Sequence, residues 1–222
     1  MHDIPQVGFR AAQPEDARGL AAFQIKAWKD HYDAFLPHWT LDQVSIEDRS
    51  EAWRMILRNP ARHADTEVHL AEVSGQIAGF GAVGRQRSAR LSALGYGGDV
   101  SAIYVGRAFQ ARGLGRRILA RLFRRLKAMG ETKASLWVIR DNLRARRFME
   151  ATGAELLDPG AGGRHHAIDD VAYGWSRIDT LFPTSHTKIL SGHDRYSVAA
   201  RPVTLARPRF AAAQTSFRPS KG

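Results

Sequence analysis

A chain of 222 residues, 44% of them hydrophobic, is long enough for one ordinary core with room for an appendage. It has no cysteine, which excludes a disulfide scaffold, a thiolate zinc site and a thiol nucleophile. It also has neither the apolar run of a signal peptide near Met1 nor the roughly 18 apolar residues of a membrane span. The expectation is therefore a cytoplasmic protein, and its net charge of +11 should draw anions: nucleic acid, acidic membrane or a phosphorylated cofactor.

Val7–Ala11 is a short strand candidate. Pro14-Glu15-Asp16 reads as a helix start, with proline and acids in the first turn, and Leu20, Phe23, Ala27 and Trp28 carry a helical stripe to about Tyr32. Ala52, Trp53, Ile56 and Leu57 predict a second helix over residues 42–57. Glu67–Val73 alternates, residues 76–83 are β-prone, and Ser74-Gly75 lies between them as a turn, which together predict an antiparallel hairpin. Residues 85–98 are polar and glycine-containing and read as a loop.

Residues 99–105 form the strongest strand signal, with Val100, Ile103, Tyr104 and Val105. From 114 to 129, Leu114, Ile118, Leu119, Leu122, Phe123, Leu126 and Met129 fall on one helical face, with Arg116, Arg117, Arg121, Arg124 and Arg125 on the other. Gly130 is placed to stop that helix. Ala134–Ile139 is a strand, 142–152 a helix stopped by Gly153, and 154–157 and 171–175 two closing strands. Beyond Arg177 the pattern dissolves: Pro183, Pro202, Pro208 and Pro219 interrupt it, and residues 180–222 carry seven Lys or Arg against Asp194. The chain thus divides into a folded unit, 1–179, and a basic tail, 180–222, that reads as disordered. It contains no internal repeat.

The segment that carries chemistry runs from Val105 through Gln110-Ala111-Arg112-Gly113-Leu114-Gly115 to Arg116 and Arg117. A strand ends, a short spacer passes, and two glycines open an amphipathic helix. A helix N-terminus presents unpaired amides and roughly half a positive charge, and glycines let an anion approach them closely. Cations are disfavoured at that end by about 0.3–1 kcal/mol each, so Arg112, Arg116 and Arg117 make sense there if a polyanion offsets them. A dinucleotide fold fits less well, since it needs a third glycine and an acidic ribose ligand about 20 residues on.

These residues resemble the GNAT N-acetyltransferase superfamily, whose motif Arg/Gln-x-x-Gly-x-Gly/Ala is matched by Gln110 to Gly115. A second family pattern, Asn-x-x-Ala-x-x-Phe-Tyr-Glu-x-x-Gly, is matched by Asn142, Ala145, Phe148, Glu150 and Gly153, with Met149 standing where the family carries tyrosine. The resemblance extends from about Val7 to Ser176. It implies an α/β (α+β) fold: a mixed, mostly antiparallel sheet of about seven strands, splayed between strands 4 and 5 and flanked by helices. It implies acetyl-CoA as acyl donor, with the pantetheine arm along the backbone of Ile103, Tyr104 and Val105, and the pyrophosphate over Gln110, Ala111, Arg112, Gly113, Leu114, Gly115 and Arg116. Asn142 would hydrogen-bond the pantetheine or cofactor near the thioester, with Ala145 and Phe148 also among the cofactor-binding residues.

Transfer to an amine needs a proton acceptor, because an amine of pKa near 10 arrives protonated. Asp99 is the candidate, acting through water. Period-two alternation would put it on one strand face with Ser101, Ile103 and Val105. A solvated acid after Gly97-Gly98 is the competing reading. Met149 cannot donate a proton to the departing thiolate, which leaves that task to Ser101 or to water. The Val105 amide is placed to stabilise the oxyanion. Tyr32, Phe35, Trp39 and Tyr104 are candidate contacts for the amine acceptor. No metal is expected, since the neighbours His165 and His166 point apart. The arginine face reads as solvated, so nucleic acid is not the expected partner, while a homodimer stays open. Two other readings remain: a non-catalytic coenzyme A sensor on the same fold, and a basic nucleic-acid-binding module.

Overall fold

The structure, a computed structural model, describes residues 6–32, 45–158 and 169–179, with residues 31, 32 and 158 described by backbone alone. The basic tail, Phe35, Trp39 and the His165-His166 pair lie outside the described residues.

Strand β1, Val7–Ala11, pairs antiparallel with β2, Glu67–Val73. β2 turns back into β3, Gln76–Arg85, through Ser74 and Gly75 at φ 50° and 75°, the tight hairpin turn expected of that dipeptide. β3 pairs antiparallel with β4, Gly98–Val105. β4 then pairs parallel with β5, Ala134–Ile139, but only through Gly98↔Ala134 and Asp99↔Ser135. Beyond that vertex the two strands part. β6, Glu155–Asp158, and β7, Asp170–Trp175, complete an order of β1-β2-β3-β4-β5-β7-β6, with β7 antiparallel to both β5 and β6. Among the described residues the sheet is therefore seven-stranded, mixed, mostly antiparallel and splayed between β4 and β5, as the sequence implies.

Helices cover both faces. After a 3-10 turn at Pro14–Asp16, α1 runs over Ala17–Tyr32, and α2 over Ile46–Arg58. Leu20, Ala21 and Trp28 of α1 and Trp53 and Ile56 of α2 pack on Leu70, Phe80, Ala102 and Tyr104. A short α3, Ala89–Ala93, capped by Ser88, interrupts the stretch read as a plain loop. The opposite face carries α4, Leu114–Ala128, and α5, Leu143–Ala151, whose Ile118, Leu122, Leu126, Ala145 and Met149 pack with Val100, Ile103, Val105, Leu136 and Tyr173. α4 lies close on β3 because Gly81 has no side chain: a Cβ there would stand 2.7 Å from Leu122 Cδ1 and 2.8 Å from Ile118 Cγ2. Buried indoles keep their polar ends satisfied, with Trp53 Nε1 donating to Gln24 Oε1 and Trp175 Nε1 to Thr152 O, both at 2.9 Å. Among the described residues no helix is long and apolar enough to cross a membrane.

Candidate functional site

The expected anion-binding segment follows β4 directly. Arg107–Phe109 make one 3-10 turn, Gln110 returns to extended backbone, and α4 begins with Gly113 as its N-cap. Ala111 at φ 59° and Gly113 at φ 75° are both left-handed. A Cβ on Gly113 would meet nothing within 4 Å, so the backbone conformation alone selects glycine there. Gly115 is glycine for another reason: a Cβ would stand 3.2 Å from Phe148 Cζ and 3.8 Å from Val105 Cγ2.

The first helical hydrogen bond at this end runs from Arg117 N–H to Gly113 C=O, 3.1 Å, and no side chain caps the helix. The amides just before Arg117 therefore have no intrahelical acceptor and sit at the positive end of the helix dipole. α2, α3 and α5 differ, being capped by Ser45, Ser88 and Asn142. Gln110, buried, ties the loop to the strand, donating from Nε2 to Val105 O at 2.8 Å and accepting at Oε1 from Arg144 Nη2 at 3.4 Å. Leu114 is buried and anchors the helix start in the core, while Ala111 and Arg112 are exposed. Arg116 Nη2 donates to Ala151 O, 2.8 Å, at the end of α5. Arg117, expected at the anion, turns instead to the far flank of α4 and lies 4.9 Å from the Phe9 ring centroid.

The second motif meets the first through the Phe148–Gly115 contact. Asn142 is buried and caps α5, its Oδ1 accepting from Ala145 N–H at 3.0 Å. Ala145 is fully buried, and Glu150 Oε1 accepts from Tyr173 OH at 2.7 Å. Burial and that carboxylate push the Tyr173 phenol above its ordinary value, against the Arg146 guanidinium that also bonds it. Met149 is fully buried in the core beneath α4 and α5.

Asp99 stands at the vertex, in the last pair that joins β4 to β5. It is 6% exposed, and Arg87 grips its Oδ2 from Nε at 3.0 Å and Nη2 at 2.8 Å. The expectation that Asp99 shares a face with Ile103 and Val105 is corrected by a β-bulge. Ala82 pairs with Ala102 and Val83 with Val100, which leaves Ser101 as an extra residue, its Oγ donating to Ala82 O at 3.4 Å. An inserted residue reverses the pleat. Val100, Ile103 and Val105 accordingly pack toward α4, and Ala102 and Tyr104 toward α1 and α2. Asp99, next to Val100 and opposite to it in the pleat, belongs on the Ala102–Tyr104 face. Tyr104 is fully buried there, its ring 5.1 Å from Phe80 and its hydroxyl accepting from Trp28 Nε1 at 2.8 Å. Of the other aromatic candidates for the acceptor, the side chain of Tyr32 and all of Phe35 and Trp39 lie outside the described residues.

Two further arginines hold site residues in place. Arg87 lies in a stretch without periodicity and left no signal. Arg144 did leave one: a cation in the first turn of α5 opposes the helix dipole and asks for a local acceptor, here Gln110.

Comparison with known proteins agrees with this architecture. The family model described as acetyltransferase (GNAT) family matches residues 26–154. The uncharacterized N-acetyltransferase YuaI of Bacillus subtilis (strain 168) is 26% identical over 175 residues, 79% of this chain and 96% of YuaI. Among solved structures, the PaiA N-acetyltransferase of Thermoplasma acidophilum in complex with coenzyme A superposes with a TM-score of 0.62 at 14% identity, over 77% of this chain and 99% of that one. The YncA protein of Salmonella typhimurium, solved with its cofactor acetyl-CoA, gives 0.56 at 20% identity, over 78% and 95%. With more than half its length matched by the family model and the splayed sheet in place, the chain belongs to the acetyltransferase (GNAT) family.

Proposed function

We propose that this acetyltransferase moves an acetyl group from acetyl-CoA to a primary amine, on a small molecule or a peptide, by direct attack on the thioester. The observation that carries the reading is the uncapped start of α4 at the mouth of the opening between β4 and β5. Unpaired amides suit a diphosphate, and a strand edge without a ladder partner suits an extended amide-bearing arm. The donor set fits: backbone amides over 113–116, with Arg112 and Arg116, for the diphosphate, and the backbone of Ile103, Tyr104 and Val105 for the pantetheine arm. Gln110 and Ala111 shape the turn, and Asn142, Ala145 and Phe148 bound the thioester end.

In this reading Asp99 takes the ammonium proton through a water, with Arg87 holding the carboxylate in place. The amine nitrogen then forms the new C–N bond as the C–S bond breaks, and the second proton that nitrogen sheds is the one passed on to the thiolate. The Val105 amide faces the oxygen on which charge develops. Ser101 or water protonates the thiolate, a modest demand, since a thiol pKa near 8.5 lies about 1.5 units, or roughly 2 kcal/mol, above neutrality. The catalytic unit is residues 1–179, working in the cytoplasm, with a homodimer as its assembly where it has one.

Thiol release from acetyl-CoA, followed against a panel of small amines and peptides, tests the reading. Amine-dependent release is the expected result. Absence of any calorimetric heat with coenzyme A or acetyl-CoA on folded protein would overturn it.

A further inference from the structure

The two flanks of α4 differ in kind. One faces α5, where Gly115 meets Phe148 and Arg116 bonds Ala151. The other faces β1, which lies three places from β4 in the sheet and on the side away from the β4–β5 opening. On this second flank Arg117, Arg121 and Arg124 form a row at i, i+4 and i+7. The guanidinium carbons of Arg117 and Arg121 lie 4.9 Å and 4.2 Å from the centroid of the same Phe9 ring.

Among the described residues no acid neutralises this row. Glu67, the acid on that side, is held by Arg125 Nε at 2.6 Å and approached by His69 Nε2 at 2.7 Å. Among the described residues no ion pair involves Arg117, Arg121 or Arg124. Burial, with Arg124 and Arg117 beside it, pushes Arg121 below its ordinary value. Like charges crowded on one ring repel, and a bound anion would relieve the repulsion. A guanidinium lying over an aromatic ring keeps its N–H fork available at the edge, the geometry that matches two oxygens of one phosphate.

We propose that this flank is a second binding surface, separate from the acetyl-CoA cleft, for the phosphodiester backbone of a single-stranded nucleic acid. Four residues of helix rise about 6 Å, which suits successive phosphates along an extended strand. Arginine at every position of the row, rather than lysine, favours bidentate phosphate. The seven Lys or Arg within residues 180–222 point to the same class of partner. A second copy of a chain with net charge +11 does not suit the surface.

The test is fluorescence anisotropy of labelled oligouridine with the full chain across a salt series. Wild type is compared with Arg121→Gln/Arg124→Gln and with the charge-retaining Arg121→Lys/Arg124→Lys. Loss of two phosphate contacts should lower the slope of log K against log salt by about 1.4 and weaken binding about tenfold at physiological salt. The lysine pair should keep most of the slope, and calorimetric affinity for coenzyme A should be unchanged in both variants. Four results would overturn the proposal: no binding by wild type, an unaltered slope in the glutamine pair, equal affinity for polyglutamate of matched charge, or a parallel loss of coenzyme A affinity.

Discussion

Replacing Gly113 with alanine isolates the backbone conformation on which the proposed diphosphate site rests. A Cβ at this position meets no atom within 4 Å, so no clash contributes. The cost is the left-handed conformation at φ 75°, about 1–2 kcal/mol for a residue with a Cβ. The smaller entropy of the unfolded alanine chain offsets about 0.4–1 kcal/mol of that. A net penalty of about 1 kcal/mol must then appear in one of two places. If the turn holds its shape, the unfolding free energy falls by that amount, a loss of about 2–4 °C in Tm for a domain of this size, and affinity for coenzyme A stays as it was. If the turn relaxes, stability is kept but the amides at 113 and 114 swing away, and Kd for coenzyme A rises about fivefold. Urea denaturation and calorimetry on the same preparation measure both, and the two losses should sum to about 1 kcal/mol. A variant that matches wild type in both would refute the claim that the turn presenting these amides requires glycine at this position.

Three further outcomes are expected. Asp99→Asn should lower turnover about 10²–10⁴-fold while leaving calorimetric binding of coenzyme A intact; retained turnover removes Asp99 from the chemistry. Met149→Tyr, though it restores the family residue, should not raise turnover and should destabilise by about 1–3 kcal/mol in urea, because the larger ring and its hydroxyl enter a fully buried position. Burial pushes the His69 imidazole below its ordinary value despite the pull of Glu67, with Arg121 and Arg125 adding to the depression. The unfolded chain then binds the proton more readily, so the stability is complete above about pH 6.5 and declines as pH falls below it. Thermal unfolding of His69→Asn across that range should show a flatter profile than wild type.

Element type was legible wherever a period ran long enough to be read. The stripe Leu114, Ile118, Leu122, Leu126 returns as the buried face of α4, and the alternation in Glu67–Val73 returns as β2 with its hairpin partner. The two motifs were legible because each glycine, cap and turn has a local cause: a φ at Gly113, a ring against Gly115, a side-chain acceptor at Asn142. What alternation could not show is a bulge. Ser101 adds one residue against Ala82 and Val83, and nothing in Asp99-Val100-Ser101-Ala102 announces it, because the bulge is a property of two strands in register. The bulge reverses the face that alternation assigns to Asp99. Arg87 was hidden for a similar reason, since its meaning comes only from a partner twelve residues away across the β3–β4 connection. The Phe9 platform under Arg117 and Arg121 depends on β1 lying beside β2, a neighbourhood set by the whole sheet.

The same geometry bears on how the chain tolerates methionine at position 149. A side chain there lies in the core under α4 and α5, two helices joined at Gly115 and Phe148, so its volume is constrained by the contact that keeps the α4 start in place. Methionine fills such a space without requiring a hydrogen-bond partner. A tyrosine would need both room and a polar outlet for its hydroxyl. Losing the proton donor forfeits at most the roughly 2 kcal/mol that separate a thiolate from its thiol at neutral pH. Misplacing the amides of α4 would instead weaken every contact of the proposed diphosphate site. On that comparison the packing that positions the donor outweighs the acid that assists its departure. Catalysis by this chain should accordingly be more sensitive to Gly113 and Gly115 than to any residue introduced at 149.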